Sequence, residues 1–265
     1  MTEKITVVKI GGNVVDNPSA LSAFASDFAS LPGKKVLIHG GGKEATRLSS
    51  RLDIPTTMIE GRRVTSADTL EIVTMVYGGL VNKRVVAALQ SNGCNALGLS
   101  GADGCVIPAT RRLPEPIDYG FVGDISPIEI NTTLIAMLLD AGIIPVFCAL
   151  AYDKEGCSML NCNADSVASA VAIALAAVAP VTLTFCFEKD GVMADVDRPD
   201  TLIPSITPSV FECLKSDGTV SGGMIPKVTN ALAAIRSGVS DVRICRSDLL
   251  TTDRGTVITI PADEV

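Results

Sequence analysis

Four short segments carry residue types that could handle a phosphate-bearing ligand. In Val7-Val8-Lys9-Ile10-Gly11-Gly12-Asn13, a lysine stands near the end of an apolar run that breaks into a glycine turn. An ammonium inside such a strand is costly unless it reaches water or an anion. Taken alone, the segment supports equally an edge lysine stretching to solvent and a lysine aimed at a bound anion. In Val36-Leu37-Ile38-His39-Gly40-Gly41-Gly42-Lys43-Glu44-Ala45, a strand enters three glycines and then a helix. Glycines let backbone N–H groups and a helix N-terminus approach a negative group closely. Leu160-Asn161-Cys162-Asn163-Ala164-Asp165-Ser166 gathers polar groups at the mouth of an apolar helix. Asn163 is placed to cap that helix and Asp165 to complement its positive end, whereas Asn161 lies outside the cap position. Last, Ser221-Gly222-Gly223-Met224-Ile225-Pro226-Lys227 puts a lysine in the first turn of a helix. That position opposes the macrodipole, so something negative should lie nearby.

Other readings of these segments are weaker. The His39–Ala45 string fits a loose GxGxxA dinucleotide pattern, with Asp53 and Glu60 near the acidic position. It follows the second strand, however, and leaves Lys9 without a role. No GxxxxGK[ST] string occurs, so a Walker-type ATPase is not indicated. Arg63, ahead of an amphipathic helix, is either a surface charge or a bidentate clamp for a carboxylate. His39 is the sole histidine, and its place at a strand end makes it structural.

Composition narrows the classes. The 265 residues are 47% hydrophobic, enough for a full core, and the net charge of -7 argues against a nucleic acid partner. The N-terminus lacks a long apolar h-region, so no secretory signal is read there. The apolar stretch Val167–Val178 falls short of the ~20 residues a membrane span needs. Eight cysteines without a CxxC pair suit reduced core thiols of a cytoplasmic protein better than zinc or redox chemistry, and no metal site is read from side chains.

Short β-rich runs alternating with helical patterns predict an α/β protein, a mainly parallel central sheet sandwiched by helices in three α/β/α layers. Strands are expected at Ile5–Ile10, Lys35–His39, Ala96–Leu99, Ile143–Leu150, Val181–Phe187 and Val242–Cys245. Helices are expected at Ser19–Ser30, Lys43–Leu52, Ser66–Gln90, Thr132–Ala141, Ala164–Val178 and Ile225–Ser237. Gly, Pro and Arg residues between Gly101 and Asp124 interrupt strand-like runs such as Cys105–Ala109, predicting a β-hairpin insertion. A lobe boundary near Val178–Pro180 divides the chain into 1–178 and 179–265.

Taken in order, VVKIGGN, LIHGGGKEA, GRRVTSADTLEI, NKRVVAAL, GLSGADG, FVGDI, GIIPV, LNCNADSVA, EKDGVM and GGMIPKV resemble the amino acid kinase family, in particular its acylglutamate branch. Ten ordered segments along nearly the whole chain are far more specific than one glycine loop. The resemblance implies ATP-dependent phosphorylation of the side-chain carboxylate of an N-acetyl- or N-succinyl-glutamate in arginine biosynthesis. It makes Lys9 and Lys227 the phosphoryl lysines and Asp165 the carboxylate that holds them. Gly41, Gly42, Arg63 and Asn161 would contact the acyl-amino acid, with Arg63 on its α-carboxylate. ATP, carrying Mg, would lie against Gly11, Gly12, Glu188, Lys189, Asp190, Gly191, Thr219 and Ser221. The N-terminal lobe would bind the acyl-amino acid and dimerise, and the C-terminal lobe would bind nucleotide. A start at Met1 leaves no room for the extra helix that builds arginine-inhibited hexamers in part of the family, so a homodimer is expected.

The chain departs from the family's usual TDVDG-like string at Phe187-Glu188-Lys189-Asp190-Gly191, and the segment Val146–Tyr152 is also unusual. Rivals are a family kinase acting on carbamate, aspartate, free glutamate or a nucleotide monophosphate, a dinucleotide-dependent oxidoreductase, and a non-catalytic sensor on the same fold.

Overall fold

A computed structural model of the chain describes residues 3–59, 61–195 and 198–261; Glu60 thus lies outside the described residues. Eight strands form one sheet. Across it, in spatial order, run Ser205–Ile206, Thr256–Ile258, Asp241–Arg246, Val181–Phe187, Ile5–Ile10, Lys34–His39, Ile144–Cys148 and Ala96–Leu99. All neighbours pair in parallel except Asp241–Arg246 with Thr256–Ile258.

The alternation of side chains along each strand makes the three layers. Val7, Val36, Ile38, Leu183 and Phe185 face one core, built with the helices Ala164–Ala176 and Met224–Arg236. Their neighbours Val8, Ile10, Leu37 and Cys186 face the other core, built with Pro18–Ser30 and the long helix Ala67–Gln90. The expected α/β/α sandwich is therefore the observed one. Each core draws on both sides of residue 178, so the sheet is continuous across the lobe boundary.

Caps set the helix starts. Asn17 accepts hydrogen bonds from Ser19 and Ala20 with Pro18 at the first helical position, and Asn163 accepts from the amide of Asp165, as its cap assignment requires.

Several expectations need correction. The run Ile143–Leu150 is not one strand: Ile144–Cys148 stays in the sheet, and Leu150–Asp153 pairs antiparallel with Ser158–Asn161. Continuous hydrophobicity conceals that turn-off. In the Gly101–Asp124 region the hairpin shrinks to Thr110–Arg111 against Gly123–Asp124, and residues 103–105 of the expected strand region form a 3-10 turn. The helix over residues 66–90 forms but contains a π-helical stretch, Thr74–Val81. Among the described residues it is the one helix long and apolar enough to span a bilayer, and Ile72, Val76, Val81, Val85 and Leu89 are buried in the second core. The strands Ser205–Ile206 and Thr256–Ile258 and the helix Pro208–Ser216 were not anticipated. All eight cysteines are free; five are buried, Cys105 is intermediate, and Cys157 and Cys213 are exposed, so not all are core thiols.

Candidate active site

The central strands Ile5–Ile10 and Lys34–His39 end side by side, and their C-terminal ends carry Lys9-Ile10-Gly11-Gly12 and the Gly40–Gly42 loop. Beside them the helix Ala164–Ala176 begins and brings Asp165 over the end of Ile5–Ile10. Lys9 Nζ lies 2.7 Å from Asp165 Oδ1, and Lys227 Nζ lies 2.7 Å from Asp165 Oδ2. The three side chains are only 10–13% exposed. The negative group demanded by a lysine at a helix start is thus Asp165, 62 residues away in sequence.

Burial works to raise the Asp165 pKa, but the charges of Lys9 and Lys227 overcome it and hold the carboxyl well below the usual carboxylate range. Burial lowers the Lys227 pKa; Asp165 opposes that shift and the like charge of Lys9 adds to it. The Lys227 ammonium also lies 5.5 Å from the Phe185 ring centroid and 5.7 Å from that of Phe187. One carboxylate facing two ammonium groups leaves a surplus positive charge at the strand ends.

A cavity of about 220 Å³ opens beside this cluster, walled by Lys9, Gly40–Gly42, Arg63, Tyr77, Asn161 and Asp165 among others. It unites Gly41, Gly42, Arg63 and Asn161 with two of the three charged residues. The buried Arg63 guanidinium donates to the Gly42 carbonyl at 2.9 Å and to Thr46 Oγ1 at 2.7 Å, so it is fixed against the glycine loop and is no surface charge. Asn161 Nδ2 donates to Thr65 Oγ1 at 2.9 Å, and both residues are buried. The amides of Gly41 and Gly42 have no protein acceptor among the described residues, so both are free to meet an anion.

The residues assigned to nucleotide lie elsewhere around the strand ends. Glu188 follows the strand Val181–Phe187 and borders a second depression with Asn13, Arg246 and Asp248. Asp190 is bound by Arg246 at 2.7 Å and by Arg254 at 3.5 Å. Gly191 is packed so closely that an added Cβ would stand 2.5 Å from Thr256 Oγ1. Thr219 and Ser221 lie on the loop between Pro208–Ser216 and Met224–Arg236, with the Thr219 amide bonded to Asp217. None of Gly11, Gly12, Glu188, Lys189, Asp190, Gly191, Thr219 or Ser221 walls the cavity beside Lys9 and Asp165.

Two wall or support residues escape a reading of the sequence. Tyr77 is 5% exposed and packs under Gly41, where an added Cβ would meet its ring at 2.8 Å. An aromatic within an apolar helix reads as core, although the following Gly78-Gly79 pair marks an irregularity. Thr65 supports Asn161 and pairs its backbone with Tyr119 and Phe121, which no local pattern signals.

Comparison with known proteins agrees with this fold. The profile of the amino acid kinase family matches residues 4–246. The chain is 48% identical over 258 residues to acetylglutamate kinase of Phocaeicola vulgatus, covering 97% of this chain and 99% of that one. It is 50% identical over 249 residues to acetylglutamate kinase of Cytophaga hutchinsonii, covering 94% and 93%. A solved structure from Streptococcus mutans UA159 superposes with a TM-score of 0.79 at 31% identity, covering 96% of this chain and 98% of that one. With a family profile spanning most of its length and relatives this similar end to end, the chain belongs to the amino acid kinase family.

Proposed function

We propose that this protein transfers the γ-phosphoryl group of ATP to the γ-carboxylate of an N-acyl-L-glutamate, a step of arginine biosynthesis. The observation that carries the reading is the Lys9–Asp165–Lys227 cluster beside a cavity walled by Arg63 and Asn161. Acetylglutamate kinases covering nearly the whole chain support the same acceptor.

A glutamate γ-carboxylate, with a pKa of roughly 4, is ionised at neutral pH and needs no general base. What the reaction requires is relief of repulsion between two anions and stabilisation of charge on the transferring phosphoryl group. Lys9 meets the phosphoryl oxygens on the acceptor side and Lys227 the leaving oxygen of ADP. Asp165, held ionised, steadies both amines without cancelling both charges. Amides of Gly11, Gly12, Gly41 and Gly42 cradle the equatorial oxygens, Arg63 takes the α-carboxylate, and Asn161 meets the amide region of the acyl-amino acid. Among the described residues no cluster of three His, Cys, Asp or Glu side chains could hold a metal, and the basic amine-and-amide lining suits anionic phosphates. Mg, as the family resemblance implies, is assigned to the substrate, carried on the nucleotide phosphates.

Nucleotide is assigned to the C-terminal part, 179–265, near Glu188–Gly191, Thr219 and Ser221, and the acyl-amino acid to 1–178. A cytoplasmic homodimer is the further expectation. Apolar Met75 and Leu80 on the Ala67–Gln90 helix, and Leu97 on the edge strand, are 41–53% exposed, which supports burial against a second copy.

An ATP-dependent hydroxamate assay with N-acetyl- and N-succinyl-L-glutamate tests the reading. Product with one or both is the expected result and assigns the acyl group. Product with carbamate or aspartate instead, and with neither acylglutamate, overturns it.

A further inference from the structure

We propose that His39 and Asn82 are positioning residues that lock the Gly40–Gly41 peptide of the phosphate-facing loop, turning the Gly41 N–H toward the cavity. The inference deepens the kinase reading above and rests on it for the identity of the bound anion.

His39 is the last residue of its strand, fully buried, and absent from the cavity wall. Its Nδ1 lies 2.8 Å from the Gly40 carbonyl oxygen. A carbonyl only accepts, so Nδ1 carries the proton. Nε2 then has a lone pair, and Asn82 Nδ2 donates to it at 3.0 Å. The orientation of the Asn82 amide is set independently. Its Nδ2 also donates to the Val146 carbonyl at 3.0 Å, while its Oδ1 accepts from Lys83 Nζ at 3.1 Å. Exchanging O and N would set two acceptors face to face at Val146 and two donors at Lys83. Asn82 is itself buried, and Gly98 leaves it room: an added Cβ there would stand 1.8 Å from Asn82 Oδ1. Every polar atom of the pair is satisfied in one arrangement.

The consequence follows from the planarity of the peptide unit. In a trans peptide the C=O of one residue and the N–H of the next point to opposite sides of the chain. Binding the Gly40 carbonyl back to His39 therefore points the Gly41 N–H away from His39, and Gly41 is a cavity wall. Two successive glycines give this peptide little resistance to flipping, and a flip would present a carbonyl oxygen to the incoming phosphate. The imidazole supplies the resistance that the glycines lack.

His39→Asn and His39→Gln separate this role from general support of the core. An asparagine amide reaches the place of Nδ1 and can still donate to Gly40, whereas a glutamine amide reaches the place of Nε2, pairs with Asn82 and leaves Gly40 free. His39→Gln should lower kcat about 100-fold, the loss typical of one misdirected transition-state donor, while His39→Asn keeps kcat within about fivefold of the parent. Thermal unfolding of both variants accompanies the kinetics, and kcat is expressed per folded enzyme. The second readout is the Gly41 amide in protein labelled with ¹⁵N-glycine, titrated with a non-hydrolysable ATP analogue and Mg. Its resonance should shift in the parent and in His39→Asn, and fail to shift in His39→Gln. Equal kcat for the two variants, or a Gly41 amide that responds alike in both, overturns the proposal. A Gly41 amide silent in the parent overturns it as well. Absence of hydroxamate from either acylglutamate in the parent instead removes the function reading, and the amide titration still decides the positioning role. Should His39→Gln fail to fold, Asn82→Ser supplies the comparison: it should lower kcat more than it raises either KM, and an unchanged kcat sinks the idea.

Discussion

The amines of Lys9 and Lys227 contact different oxygens of the Asp165 carboxylate, each at 2.7 Å, so two residues 218 positions apart share one counter-ion. The shared carboxylate therefore holds both amines at one end of the sheet. The charge balance matters as much as the placement. A lysine pair without the acid would repel, and with one acid for each amine it would offer an incoming anion no net charge.

Lys9→Ala should lower kcat by on the order of 3 kcal/mol of transition-state stabilisation, roughly 100-fold, with a smaller change in KM. Steady-state kinetics with saturating ATP reads the split, and an unchanged kcat removes Lys9 from the chemistry.

Asp165→Asn should destabilise the fold by about 3 kcal/mol, since it leaves two buried ammonium groups without their partner. The pH dependence follows from the sign of the shift. The folded carboxyl has a pKa below its unfolded value near 3.8, so its stabilisation is complete above that value and fades as pH falls below it. Urea unfolding of parent and variant should converge toward acid pH; a constant difference would contradict the shift.

His39 predicts a separate window. Burial pushes its pKa down to about 4 from 6.5, with the Gly40 carbonyl opposing and Lys83 assisting. The folded state holds the ring neutral while the unfolded chain takes up a proton, so stability falls as pH drops from 6.5 toward 4, by about 3 kcal/mol in all. His39→Asn should be less stable than the parent at pH 7 and show a flatter decline through that interval.

Arg63→Ala should raise KM for the acyl-amino acid more than it lowers kcat, because the clamp holds ground state and transition state alike. Arg63→Lys should recover little, since one ammonium cannot reproduce the fork whose Nη2 donates to the Gly42 carbonyl and Thr46 while Nη1 donates to Thr56. Equal KM in parent and Arg63→Ala would refute the clamp.

Gly41→Ala tests the contact that sequence reading missed. Its methyl would meet the Tyr77 ring at 2.8 Å, and relief requires a buried side chain to move, at a cost of about 1–3 kcal/mol. Combining it with Tyr77→Leu should restore part of the loss. Strict additivity of the two in denaturant unfolding would show that they do not touch.

Local order made much of this protein legible. Strands that begin with apolar runs and end in glycine carry their own signal, and so do helices opened by Asn17 or Asn163; the parallel sheet and its glycine-bearing strand ends followed from them. Lys9 and Lys227 stand out because each conflicts with its local setting, whereas Asp165 suits its helix start and is singled out by the family resemblance. What tertiary structure alone decided is which groups meet. The turn-off at Ala149, the Tyr77–Gly41 contact, the Thr65–Asn161 bond and the His39–Asn82 pair join residues 36 to 96 positions apart or break a run of uniform hydrophobicity. Periodicity and capping report the forces along a few turns of chain, whereas these contacts arise only when the sheet order brings distant strand ends together. The residue types were therefore written locally, and their partnership was settled by packing.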